Sequence, residues 1–282
     1  MSQTEVSPPE IGKSLEAGGV STNYHDHGAG PPVLLIHGSG PGVSAWANWS
    51  RNIPVLAKDF RVVAPDLAGF GYSDAIAGGV RDKAVWVRQL VGVLDALKLD
   101  KVSVVGNSFG GGMAIALMVA HPDRVERAVL MGSVGLKAPI SESLDYLWGY
   151  QPSLENMRKA IERLVYDQSR ITEELVQMRH QASSRPESYA PYAATFGQAP
   201  RQNAMNMLAS DEAQIAAITQ EVLILHGAFD RVIPLETSVR LNQLIRNSDL
   251  HSFAGAGHWV QIERAASFNR MVAQFIKHGL NE

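Results

Sequence analysis

The sequence predicts an α/β fold: a mainly parallel sheet flanked by helices, with a helical insertion late in the chain. Three observations predict it. Short apolar runs recur along the 282 residues, each long enough for one buried strand. Segments of helical spacing lie between most of them. The alternation then breaks between about 135 and 206, where helical patterns interrupted by Pro and Gly replace strand-like runs.

The elements follow in order. The opening "MSQTEVSPPE" lacks a charged-then-apolar pattern, so no secretory signal is expected. Its first nine or so residues, polar with two prolines, read as a loose tail. "EAGGVSTNYHDHGAGPP" (16–32) reads as an antiparallel hairpin leading into the sheet. "VLLIH" (33–37), "RVVAP" (61–65), "VSVVG" (102–106), "AVLMG" (128–132) and "VLILH" (222–226) read as buried strands. "KAVWVRQLVGVLDALKL" (83–99) places Val87, Leu90, Val91, Leu94 and Leu97 on one helical face. "SFGGGMAIALMVAHP" (108–122) is apolar all round, as a helix buried against a sheet should be, and stops at Pro122. The strand-free stretch, 135–206, is expected to form a helical lid after the sixth strand, over the C-terminal sheet edge where open α/β sheets bind ligands. The core is then 1–134 with 207–282.

Composition narrows the function. Hydrophobic residues make up 45% and charged residues 19%, an ordinary globular balance. A formal net charge of −3 and no dense Lys/Arg cluster set nucleic acid aside. No uninterrupted apolar stretch is long enough to cross a bilayer, so no membrane partner is expected. With no cysteine, disulfides and thiolate metal sites are excluded, which fits a cytoplasmic location. His25 and His27 could chelate a metal, but in a hairpin they should be solvated surface residues, and no metal is expected.

Gly106-Asn107-Ser108-Phe109-Gly110 matches G-x-S-x-G between a strand and a helix, the setting of a nucleophile elbow. Small residues two before and two after the serine let the chain take a strained turn. The rival reading is a glycine-rich turn with an incidental N-cap serine. A serine needs a base, and in this arrangement the order is Ser, acid, His. Asp230 follows the strand "VLILHG", although an Asp there can simply cap a turn. His258 lies in the glycine-flanked loop "FAGAGHW", whereas His251 falls inside a presumed strand and His278 in the C-terminal tail. "HGSGPG" (37–42) has neither G-x-G-x-x-G spacing nor a P-loop Lys-Ser/Thr. In a serine hydrolase it supplies one oxyanion N–H, here from Ser39, and the residue after the nucleophile, Phe109, supplies the other.

With these motifs placed, the chain resembles the α/β-hydrolase superfamily over nearly its whole length. Within it, the chain resembles the meta-cleavage product hydrolases of aromatic degradation. "LIHGSGPGVSAWANW", "APDLAGFGYSD", "VGNSFGGGMA", "YDQSRITEEL" and "GHWVQIERAASFNRMVAQF" carry the likeness. It is strongest to the branch acting on 2-hydroxymuconic semialdehyde and alkyl analogues. The resemblance implies an eight-stranded sheet and a triad of Ser108, Asp230 and His258. It implies Asn48 and Asn107 as polar site residues, Arg179 as the substrate-carboxylate ligand, and Trp259 packed on the dienoate. Arg185 competes with Arg179 for that task. It implies a small-molecule dienoate substrate, hydrolysis of its C5–C6 bond, no cofactor, and a homodimer or higher homo-oligomer. "SDAIAGGVRDKAVW" (73–86) departs from the family pattern in being shorter and less acidic or aromatic. Two rivals stand beside this: a carboxylesterase on the same scaffold, and a non-catalytic receptor with a hydrolase fold.

Overall fold

The computed structural model describes residues 9–280, so the expected N-terminal tail lies outside them, Pro9 excepted. Eight strands are present among these residues: β1 (Lys13–Ala17), β2 (Val20–His27), β3 (Pro32–Ile36), β4 (Arg61–Pro65), β5 (Val102–Asn107), β6 (Val125–Met131), β7 (Glu221–Gly227) and β8 (Ser248–Phe253). They form one sheet in the order β1-β2-β4-β3-β5-β6-β7-β8. β1 and β2 form the expected hairpin, and β2 also pairs antiparallel with β4. All other pairings are parallel.

The five apolar runs are the strands whose two faces are both covered, which is why they read as unbroken hydrophobic stretches. β8 is an edge strand with mostly exposed polar side chains, "SDLHSF".

Between β3 and β4 lie α1 (Ala45–Trp49) and α2 (Ile53–Leu56); α3 (Ala84–Ala96) and α4 (Phe109–Ala120) follow. α3 buries Val87, Leu90 and Leu94 as its spacing predicts. Its buried face is rotated from the expected one: Trp86, Gln89 and Val93 are buried, while Val91 and Leu97 are half-buried. Gln89 is tolerated there because Oε1 accepts from Ala68 N–H (2.8 Å) and Nε2 donates to Thr22 Oγ1 (2.9 Å). α4 is buried over nearly all its length and lies against β5 and β6.

Between β6 and β7 the chain is helical: α5 (Glu142–Trp148), α6 (Leu154–Leu164), α7 (Glu173–Ser184), α8 (Pro186–Phe196) and α9 (Gln202–Leu208), then α10 (Glu212–Ala216). The first three start where the sequence supplies a hydroxyl cap. Ser141, Ser153 and Thr172 accept from the N–H of Leu144, Asn156 and Leu175. α11 (Leu235–Leu244) separates β7 from β8, and α12 (Val260–Glu263) and α13 (Ala265–His278) follow β8. Two apolar cores form, one on each face of the sheet. Each large side chain fully buried there contributes about 1.5–3 kcal/mol. The unusual segment 73–86 packs under α8, where Val80 N–H donates to Thr195 Oγ1 (3.0 Å). Among the described residues, no helix is long and apolar enough to cross a membrane.

Candidate active site

Ser108 stands between β5 and α4 at φ 56°, ψ −113°, the left-handed side of the map that side chains rarely occupy. The end of β6 and the loop after it hold it there: its N–H donates to Met131 O (2.8 Å), and its carbonyl accepts from Val134 N–H (3.2 Å). The flanking glycines are required by close approach. A Cβ on Gly106 would lie 2.4 Å from the Gly110 carbonyl oxygen, and one on Gly110 would lie 2.2 Å from that of Ile36. The helix opens at Phe109, so Ser108 is its cap and Phe109 N–H, first in the helix, has no intrahelical acceptor.

Asp230 follows β7 in a turn closed by its own N–H to Gly227 O (3.0 Å). Oδ1 accepts from the N–H groups of Val232 (2.7 Å) and Ile233 (2.9 Å), which aims Oδ2 at His258 Nδ1, 2.7 Å away. Asp230 does cap its turn, and the same side chain also holds the imidazole. Burial opposes its charge, but His258, His226 and the backbone N–H of Ile233 outweigh that and hold its pKa below the usual carboxylate value. With Nδ1 occupied, Nε2 is the nitrogen free to exchange a proton.

The loop after β3 lies beside the elbow: a Cβ on Gly38 would be 3.6 Å from Ser108 Cβ and 2.9 Å from Asn107 Oδ1. Gly38 N–H donates to Asn48 Oδ1 (3.1 Å), and Ser39 Oγ accepts from Trp148 Nε1–H of α5 (3.0 Å). The Ser39 N–H is the next donor along that loop.

A cavity of about 480 Å³ opens over these groups. Ser39, Asn48, Asn107, Ser108, Arg179, His258 and Trp259 all line it, so seven of the nine residues singled out in the sequence meet around one space. The other two are not among its lining residues. The Phe109 ring is packed in an aromatic cluster with Trp86, Phe70 and Phe196, and Asp230 stands behind His258. Arg179 is 8% exposed; its Nη2–H donates to Pro41 O (3.0 Å), and among the described residues no carboxylate forms an ion pair with it. Burial disfavours its charge, partly offset by the field of Glu10 at the rim of the cavity. Arg185 is elsewhere, stacked over the Tyr72 ring at 4.3 Å. Asn48 Nδ2 is buried without a hydrogen-bond partner among the described residues.

The alpha/beta hydrolase fold family matches residues 31–265. The 2-hydroxymuconate semialdehyde hydrolase of Pseudomonas sp. (strain CF600) is 50% identical over 95% of this chain and 94% of its own. A 2-hydroxy-6-oxo-2,4-heptadienoate hydrolase of Pseudomonas putida is 51% identical over 95% and 96%. A serine-to-alanine variant of the meta-cleavage product hydrolase from Pseudomonas fluorescens IP01, solved with acetates, superposes with a TM-score of 0.94 at 47% identity, covering 96% and 99%. The chain belongs to the meta-cleavage product hydrolases.

Other residues of this hydrolase frame the site without having been singled out in the sequence. Trp148 reaches Ser39 across 109 positions, and no local pattern announces such a contact. His226 donates from Nε2 to Ile233 O (2.9 Å), accepts at Nδ1 from Ser238 Oγ (2.7 Å), and lies 3.5 Å from Asp230 Oδ2. His25 corrects an expectation: it is buried, not solvated, because its ring is wedged against Trp46 and bonded to the Glu10 carbonyl (3.2 Å).

His37 is the first residue of the "HGSGPG" motif. Its Nε2 accepts the Leu67 N–H (3.0 Å), so Nδ1 carries the proton and donates to Gly38 O (2.7 Å). Burial lowers its pKa to about 4 against the opposing Gly38 bond. An unfolded imidazole titrates near 6.5. The unfolded chain therefore takes up a proton first as pH falls, and stability present above pH ~6.5 drains away towards pH ~4, by up to about 3 kcal/mol. Urea denaturation of wild type and His37→Gln between pH 7.5 and 4.5 is expected to show a stability gap that narrows with acid. A gap independent of pH would contradict the neutral buried ring.

Proposed function

We propose that this hydrolase cleaves the C5–C6 bond of 2-hydroxy-6-oxohexa-2,4-dienoate ring-fission products, giving 2-hydroxypenta-2,4-dienoate and a small carboxylic acid. The observation that carries this reading is Arg179, a buried guanidinium with no carboxylate ion pair among the described residues, lining the same cavity as Ser108 and His258. A plain ester gives an enzyme no reason to bury a cation, whereas a dienoate brings the missing carboxylate, which a planar fork grips in bidentate fashion.

Each residue then has a task. Arg179 holds the carboxylate end, Trp259 packs on the planar dienoate, and Asn48 Nδ2 and Asn107 meet its oxygens. The leaving group is a carbon, so the substrate must first become its keto tautomer. Ser108 Oγ attacks C6 while its proton passes to His258 Nε2, and Asp230 steadies the imidazolium that forms. The C6 oxygen takes the negative charge, facing the N–H groups of Ser39 and Phe109; one such donor is typically worth about 3–4 kcal/mol of barrier. The C5–C6 bond then breaks, and its electron pair delocalises through the C3–C4 double bond onto the C2 oxygen, which takes the proton from His258. Water hydrolyses the acyl-serine by the same shuttle, releasing formate when C6 is an aldehyde. Hydrogen or methyl at C6 agrees with the compounds for which the two half-identical relatives are named. Residues 135–206 act as a lid on the core formed by 1–134 and 207–282. The enzyme works in the cytoplasm as a homodimer or higher homo-oligomer.

Loss of yellow colour tests this. The ring-fission products of catechol, 3-methylcatechol, 3-isopropylcatechol and 2,3-dihydroxybiphenyl should differ in kcat/KM, the first two being fastest. Arg179→Gln is expected to lower kcat/KM for the dienoate about 10²- to 10³-fold while changing nitrophenyl acetate turnover less than about threefold. Equal losses on both substrates, or wild-type ester turnover far above dienoate turnover, would make the protein a carboxylesterase.

A further inference from the structure

Glu263 is 8% exposed, and its carboxylate is spent entirely on backbone. Oε1 accepts from the N–H groups of Tyr166 (2.9 Å) and Asp167 (3.0 Å), in the return from α6 towards α7. Oε2 accepts from the N–H of Gly257 (2.7 Å), the residue immediately before His258. The same return also reaches the other way: Leu164 O accepts from the N–H groups of His258 (2.8 Å) and Trp259 (3.2 Å). One rim of the insertion and the peptide that carries the imidazole are therefore tied by a two-way set of hydrogen bonds, with Glu263 as its centre. The tie continues to the acid loop, where the rings of Tyr166 and Phe229 meet at 4.4 Å beside Asp230.

We infer that Glu263 is a positioning residue for the reaction: it locks the 164–167 return between α6 and α7 of the lid to the histidine loop and so sets where His258 stands. The inference rests on the role assigned to His258 above. Three facts favour positioning over general stability. Two of the three donors lie 97 and 96 positions away, so the carboxylate does more than close the local loop from Gly257. The segment it draws in is the one that adjoins the base. Its pull also acts along the main chain on both sides of His258, at Gly257 directly and at Trp259 through Leu164. A shift of about 1 Å at a reacting group can cost about 10²-fold in rate.

Glu263→Gln tests it in the full-length enzyme. The amide keeps the shape but offers one acceptor oxygen instead of two, and its NH2 must face a backbone N–H on one side. Expected is a kcat about 10- to 100-fold lower with KM within about twofold, and the same fractional loss on the dienoate and on nitrophenyl acetate, since both need the base. Hydrogen exchange should show the amides of Gly257, Tyr166 and Asp167 losing protection together. Where the glutamine variant does not fold, Glu263→Asp, with both oxygens on a shorter arm, is read by the same measurements. Unchanged kcat in a folded variant, or a loss confined to the dienoate, overturns the inference. The dual readout separates it from the substrate proposal: if wild type turns over only the ester, that proposal fails while the clamp is still read on the ester.

Discussion

Replacing Ser108 by alanine is expected to lower kcat for the dienoate by about four to six orders of magnitude, because the nucleophile and its proton are lost together. The variant should fold, since Ser108 makes its fixed hydrogen bonds through the backbone, to Met131 O and from Val134 N–H. Relief of nothing else is expected: alanine still has a Cβ at φ 56°, so the strained turn persists. Rapid quench with labelled substrate should find an acyl-enzyme in wild type and none in the variant. Cleavage by Ser108→Ala at near wild-type rate would replace the acyl route by direct attack of water through a gem-diol.

Asp230→Asn should be nearly as damaging, about 10⁴-fold in kcat, for a different reason. Asparagine can keep its oxygen on the Val232 and Ile233 N–H groups. Its NH2 then faces His258 Nδ1, which must accept instead of donate. That fixes the proton on Nε2, the nitrogen that has to take one from the serine. KM should move little, because the aspartate lies behind the imidazole and outside the cavity lining. A circular dichroism spectrum like that of wild type, with a loss below about tenfold, would show that the tautomer is set by something other than Asp230.

Much of this was legible in the sequence wherever both faces of a strand, or the whole girth of a helix, are buried. β3, β5, β6 and β7 and helix α4 are of that kind. β8 was harder to read because an edge strand with exposed side chains carries no apolar run. The elbow, Asp230 and His258 could be singled out because a serine-hydrolase arrangement would impose an order and a loop context, and the structure puts Asp230 and His258 in hydrogen-bond contact. Arg179 could not be separated from Arg185 by periodicity; only the packed structure points one into the cavity and lays the other on Tyr72. Asn48 was expected to touch substrate, and half its amide is already engaged in shaping the loop at Gly38. Glu263, Trp148 and His37 act through partners far along the chain or through backbone groups, and such contacts leave no local signature.

The pairing of β6 with β7 has a consequence for how the protein is made. These neighbours are separated in the chain by the whole helical insertion; Arg127 Nε and Glu221 Oε2, 2.8 Å apart across the two strands, are 94 positions distant. Loop-closure entropy must be met before that parallel junction yields anything in return, so high contact order makes it a slow event. Ser108 precedes the insertion in the chain, whereas Asp230 and His258 follow it. Bringing Asp230 and His258 to Ser108 therefore requires β7 and β8 to dock, so the onset of turnover during refolding is expected to report that long-range junction.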